Sequence, residues 1–115
     1  MSEIQQQILE AERQIAESKV LIEIREAAIR LYDNPDFRKL IVKGYLLEDC
    51  ARFVHQSGDP SLDLQGRADA LAMAQACGHL KRYLSAQIQM GYVATNSIQD
   101  MENVLEELRA EEGAE

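Results

Sequence analysis

Tryptophan is missing from this 115-residue chain, and all aromatics together make up only 5% of it. Its core must therefore be aliphatic; alanine, leucine, isoleucine, glutamine and glutamate are plentiful, and all of these but the β-branched isoleucine lose little rotamer freedom in a helix. Only two prolines and six glycines punctuate the sequence, which leaves few places where a helix has to stop. The two cysteines, Cys50 and Cys77, are too few for a disulfide framework. No leader-like segment precedes them, and their neighbours fall at apolar helical positions. They are expected to be reduced core residues of a cytosolic product. No apolar run approaches the roughly 18–20 residues that a membrane-crossing helix needs.

What is present points to one all-α domain over residues 1–115. At 46% hydrophobic, the chain can bury a real core. Its net charge of −8 is unevenly placed: residues 100–115 hold seven acids against one base, Arg109. An acidic chain repels phosphate backbones, so direct nucleic-acid binding is disfavoured. The acidic end reads first as a solvated tail and second as a docking surface for a basic partner.

Periodicity carries most of the information. From Ile4 the apolar steps alternate four and three through Ile8, Ala11, Ile15, Ser18, Ile22, Arg25, Ile29 and Tyr32. This predicts a helix over about 2–32, capped by Ser2 and stopped before Pro35. Asn34 and Pro35 then form a strong start signal for a second helix, about 35–56. Its expected inner face runs Phe37, Leu40, Ile41, Gly44, Leu47, Ala51 and Val54, with Leu46, Cys50 and Phe53 alongside. Gly44 suggests a close helix crossing or a slight bend. Gly58 and Pro60 mark the stop.

A third helix, about 62–111, is expected to start at Ser61 or Asp63. Its seam is the longest in the chain: Met73, Cys77, Leu80, Leu84, Gln87, Gly91, Ala94, Ile98, Met101, Leu105 and Leu108. Apolar residues every 3.5 positions keep one narrow face of a helix against a neighbour. Gly91 and the weak helix formers after it argue for a break, which would make four helices. The seam keeps phase across them, which argues for one bent helix of about 70 Å. The expected fold is thus an elongated three-helix bundle with long, coiled-coil-like terminal helices. One copy of such rods leaves apolar surface over, so the seam residues Ile4, Ile8, Ile15, Ile22, Leu84, Gln87, Gly91, Ile98, Met101, Leu105 and Leu108 are candidate interface positions. Gln87, polar inside the seam, is either tolerated at its edge or fixes register.

Catalytic signatures are absent. There is no Gly-rich phosphate loop, Gly-x-Ser-x-Gly elbow or His-Glu-x-x-His run. His55 lies five residues after Cys50, and His79 two after Cys77, so neither pair shares a helix face. That spacing does not suit zinc, and a Cys–His nucleophile pair across the fold would be a coincidence of few residues. Glu-x-x-His pairs for a di-metal bundle are also missing. No cofactor, no metal and no enzyme activity are expected. Arg38, Lys39 and Lys43 form a candidate basic docking face; an acidic helix, such as a neighbouring subunit's tail, suits it better than nucleic acid does.

The run Asn34-Pro35-Asp36-Phe37-Arg38-Lys39-Leu40-Ile41-Val42-Lys43-Gly44-Tyr45, followed by Glu48, Ala51 and Arg52, resembles a family of small uncharacterised tailed-bacteriophage proteins. Gly78 to Leu84, Gly91 and Ala94 fit its later part. The resemblance implies phage origin and a place among head or tail morphogenesis proteins, in the host cytoplasm during assembly or in the particle. It supplies no catalytic residue. With the seams, it favours a structural or assembly-assisting protein that binds copies of itself or another virion protein. The alternatives are a phage-encoded acidic inhibitor of a host enzyme and a small-molecule-binding oligomer with its site between subunits.

Overall fold

The computed structural model describes residues 2–114. Met1 and Glu115, the ends of the expected domain and of the acidic stretch, lie outside the described residues. The fold is all-α, with two long helices and a shorter one between them. Helix α1 spans Glu3–Asp33. Helix α2 covers 35–57 in three consecutive parts: Pro35–Phe37, Arg38–Asp49 and Cys50–Ser57. Helix α3 is a single run of 51 residues, Leu64–Ala114, unbroken at Gly91.

Local chemistry fixes the ends of these helices. Ser2 and Gln5 form a reciprocal capping box: the Gln5 amide donates to Ser2 Oγ, and the Ser2 amide donates to Gln5 Oε1, both at 3.1 Å. Asn34 Oδ1 accepts from the amides of Asp36 and Phe37 at 2.9 and 3.1 Å, with Pro35 at the first helical position. Across that turn Tyr32 meets Phe37 edge to face, centroids 5.7 Å apart. Asn34→Ala should cost about 1 kcal/mol by freeing both amide donors. Urea unfolding measures this, and an unchanged midpoint would deny the cap any weight.

Gly58 ends α2, its amide donating to His55 O at 3.2 Å with φ of −105°. Asp59 Oδ1 then takes both the amide and the hydroxyl of Ser61. Those two donors hold the Asp59 carboxyl below its ordinary range. Of the two expected starters of α3, Asp63 is the cap: its Oδ1 accepts from the Gly66 amide at 2.6 Å.

The middle of α2 departs from expectation. Residues 38–49 are wound as a π-helix, in which each amide reaches back five residues rather than four. At its end the Cys50 amide still reaches Tyr45 O. A wider turn lengthens the side-chain period, and the inner face slips accordingly. Phe37, Ile41, Val42, Tyr45, Leu46, Cys50 and Phe53 are half-buried, whereas Leu40, Leu47, Ala51 and Val54, expected inside, are exposed. Gly44 marks no helix crossing. A Cβ there would meet only the carbonyl of Lys39, at 3.2 Å.

The chain divides into two compact units, one joining residues up to Ala27 with those from Gln87 onward, the other running Ala28–Ala86. In the first, α1 and the C-terminal half of α3 pair antiparallel. Ile8, Ala11 and Leu105 are buried together, with Ile4, Ile15, Met101 and Leu108 packed around them. Every α1 seam position from Ile4 to Arg25 is buried or half-buried, as periodicity predicted. In the second unit the buried positions are Ala28, Ala70, Ala74, Cys77 and Leu84. Here the α3 seam differs from expectation: Met73 is exposed, and Ala70 and Ala74 take the inner positions. Small side chains at Ala74 and Cys77 let α2 come close, with Cys50 Sγ at 3.9 Å from Ala74 O.

Candidate interaction surface

The expected interface positions fall mostly inside the chain's own helix pairing. Ile4, Ile8, Ile15, Met101, Leu105 and Leu108 form one apolar cluster. Ile22, Gln87 and Ile98 are half-buried, and Leu84 and Gly91 are buried. The two seams cover one another for the most part within one polypeptide, and Met101 and Leu108 stay partly open at the edge of the pairing.

Gly91 owes its burial to Arg25. A Cβ at Gly91 would collide with Arg25 Cβ and would lie only 2.7 and 2.8 Å from its Cδ and Cγ. The arginine stem thus lies on bare α3 backbone, an arrangement open only to glycine. Its guanidinium then reaches Gly91 O at 3.3 Å and Thr95 Oγ1 at 3.0 Å, and pairs with Glu26 at 2.6 Å. It also stands 4.8 Å from the centre of the Tyr92 ring. With its donors engaged, a mostly buried arginine is tolerated at a seam position.

Gln87 makes no side-chain hydrogen bond among the described residues. Gln87→Leu is therefore expected to raise stability by up to about 1 kcal/mol through added apolar burial. If the amide fixes register, the same change broadens the distribution of oligomeric states. A clearly less stable variant, measured by thermal unfolding, would contradict this.

Two thiols and a phenol meet in the second unit. Cys50 is half-buried, Cys77 is 1% exposed, and both are free thiols. Contact with the Cys77 thiol, then burial, raises the Tyr45 hydroxyl above its usual value. Burial, then Cys77, raises the Cys50 thiol. Thiols shifted this way are poor nucleophiles. His55 and His79 are both exposed. Among the described residues no three His, Cys, Asp or Glu side chains are grouped to hold a metal ion.

Charge on the surface is sorted by place. In α1, Arg13 is paired with Glu10 and Glu17, and its hydrogen bonds pull the Glu10 carboxyl down to about 2. Arg109 reaches Glu12 at 3.2 Å, and Arg52 reaches Asp49 at 3.3 Å. Arg38, Lys39 and Lys43 are exposed and make no ion pair among the described residues. The same holds for Asp100, Glu102, Glu106, Glu107, Glu111 and Glu112 at the other end of the chain.

Apolar exposure is the other notable property. Leu40 and Leu47 are 68% and 64% exposed, and Val54, Tyr83, Tyr92 and Val93 are more than half exposed. Open grooves run beside the α1–α3 pairing. One of about 300 Å³ is floored by Ala11, Met101, Val104 and Leu108. No helix among the described residues is long and apolar enough to cross a membrane. Comparison with known protein families, with curated proteins and with solved structures returned no match.

Proposed function

We propose that this chain is a non-enzymatic structural or assembly-assisting protein of a tailed phage, acting by self-association and by binding another virion protein. The observation that carries this reading is the outer side of α2, where Leu40 and Leu47 stand exposed beside unpaired bases. Large apolar side chains scattered singly are ordinary on a protein surface. In the wide turn Leu40 and Leu47 flank the bases from either edge rather than adjoin each other, and a helix side that sets exposed apolar groups beside unpaired bases is what a binding surface offers. The phage assignment itself is supported only by the sequence resemblance, which starts at the 34–45 run and takes in Gly78 to Leu84, Gly91 and Ala94.

Mass spectrometry of purified particles and assembly intermediates is the decisive experiment. The chain should be recovered with them, and its mass in solution should exceed that of one copy. A second reading, a phage-encoded inhibitor of a host enzyme, is favoured by the unpaired acids between Asp100 and Glu112. It predicts absence from particles and capture of one host enzyme through a basic surface. Direct binding to nucleic acid is disfavoured by the net charge of −8.

A further inference from the structure

Resting on the self-association reading above, we propose that copies of this chain join head to tail, the basic–apolar side of α2 on one copy docking into the acidic–apolar groove beside the C-terminal half of α3 on the next. On α2, Lys39, Lys43, Leu47 and Ala51 follow one another four apart, and all are exposed. Leu40 stands beside this row with 68% of its surface free. The unpaired bases here are Arg38, Lys39 and Lys43, and the exposed acids of α2 are Asp36 and Glu48.

The complementary surface lies in the first unit. Its groove is lined by Ala11, Met101, Val104 and Leu108 together with Gln7, Glu10 and Gln14 of α1. Glu107 and Glu111, three and seven residues beyond Val104, stand exposed on the same side of α3. Arg109, the base nearest in sequence, is already engaged by Glu12, and Arg13 of α1 by Glu10 and Glu17. Glu107 and Glu111 therefore face solvent with no cation from their own chain among the described residues.

Each surface lacks what the other has. One offers leucines and unpaired lysines; the other offers an apolar trough and unpaired carboxylates. Exposed charges choose the partner and its orientation, while Leu47, on the side of Lys43, removes apolar surface from water as it enters the groove. A second copy always supplies both surfaces at equal concentration. The two surfaces differ, so the contact is heterologous, and repeating it builds a ring or an open filament rather than a closed two-fold dimer.

The test is sedimentation velocity on the full chain and two double variants, Lys39→Glu/Lys43→Glu and Glu107→Lys/Glu111→Lys. All four side chains are exposed, so the helical circular-dichroism signal should not change. The unaltered chain should gain mass with concentration and lose it with added salt. Each variant alone should associate at least about tenfold more weakly, because two attractive pairs become repulsive. An equimolar mixture of the two variants should recover the assembly, since each reversed surface then finds its opposite. Variants that assemble like the unaltered chain would overturn this contact and leave self-association standing. An unaltered chain that stays at the mass of one copy at every concentration would overturn both.

Discussion

Gly91→Ala is expected to destabilise the protein by about 1–3 kcal/mol through overpacking. The direction runs against intrinsic propensity, because alanine in place of glycine favours an exposed helix interior by about 1 kcal/mol. Here the new methyl has nowhere to go. It would collide with the Cβ of Arg25, and both atoms are fixed by backbone, so no change of rotamer relieves the clash. The helices must separate locally. Separation also draws Arg25 away from Gly91 O, Thr95 Oγ1 and the Tyr92 ring. A double-mutant cycle isolates the cause. Arg25→Gly removes the opposing Cβ, so Gly91→Ala should cost much less in that background than alone. Single changes in direct contact usually fail to add, by about 0.5–3 kcal/mol. Additive behaviour in urea unfolding would show that the close approach does not decide the stability of this layer.

The pairing of α1 with the C-terminal half of α3 is legible in the sequence because both seams hold a four–three rhythm over many turns. A long regular repeat leaves one consistent face, and every α1 position from Ile4 to Arg25 on that face is at least half-buried. The unbroken α3 follows from the same logic: a loop at Gly91 would not preserve the phase. What Gly91 does could not be read from α3. Its reason sits on the other helix, at the one seam position carrying a long cation, and seam order alone does not align Arg25 with Gly91.

The face of α2 failed for a different reason. Phe37, Leu40, Gly44, Leu47, Ala51 and Val54 fit an α-helical period, but residues 38–49 are wound more widely. Ile41, Val42 and Gly44 are weak helix formers, yet they carry no signal for a reach-back of five rather than four. Of the anticipated stripe, Ile41, Leu46, Cys50 and Phe53 are half-buried and are joined by Val42 and Tyr45, while Leu40, Leu47, Ala51 and Val54 were left outside. Met73 misled for a related reason. Size favoured it over its alanine neighbours, but close approach of α2 selects small residues, and Ala70 and Ala74 are buried instead. The candidate basic face was legible as charge. Its apolar half, Leu40 and Leu47, was hidden by the wrong period.

Leu105→Ala should produce the other large loss, about 2–3 kcal/mol, placed at the lower part of the range for buried leucine truncations. Leu105 is 6% exposed and packs with Ile8 and Ala11 inside the ring of Ile4, Ile15, Met101 and Leu108. Truncation removes its apolar contacts and leaves a cavity. The open grooves on either side of the pairing let neighbours relax into that space, which keeps the cost from the upper end. Val104 is the control. It lies one residue away on the same helix but is 37% exposed, so Val104→Ala should cost under about 1 kcal/mol. Hydrogen exchange adds a positional readout. With Leu105→Ala, protection should fall first at amides 4–15 and 101–108, while amides of 41–50 in the other unit keep theirs. Equal losses for the two substitutions would mean that this layer is not the core holding α1 to α3. The antiparallel pairing would then depend chiefly on Arg25 seated over Gly91.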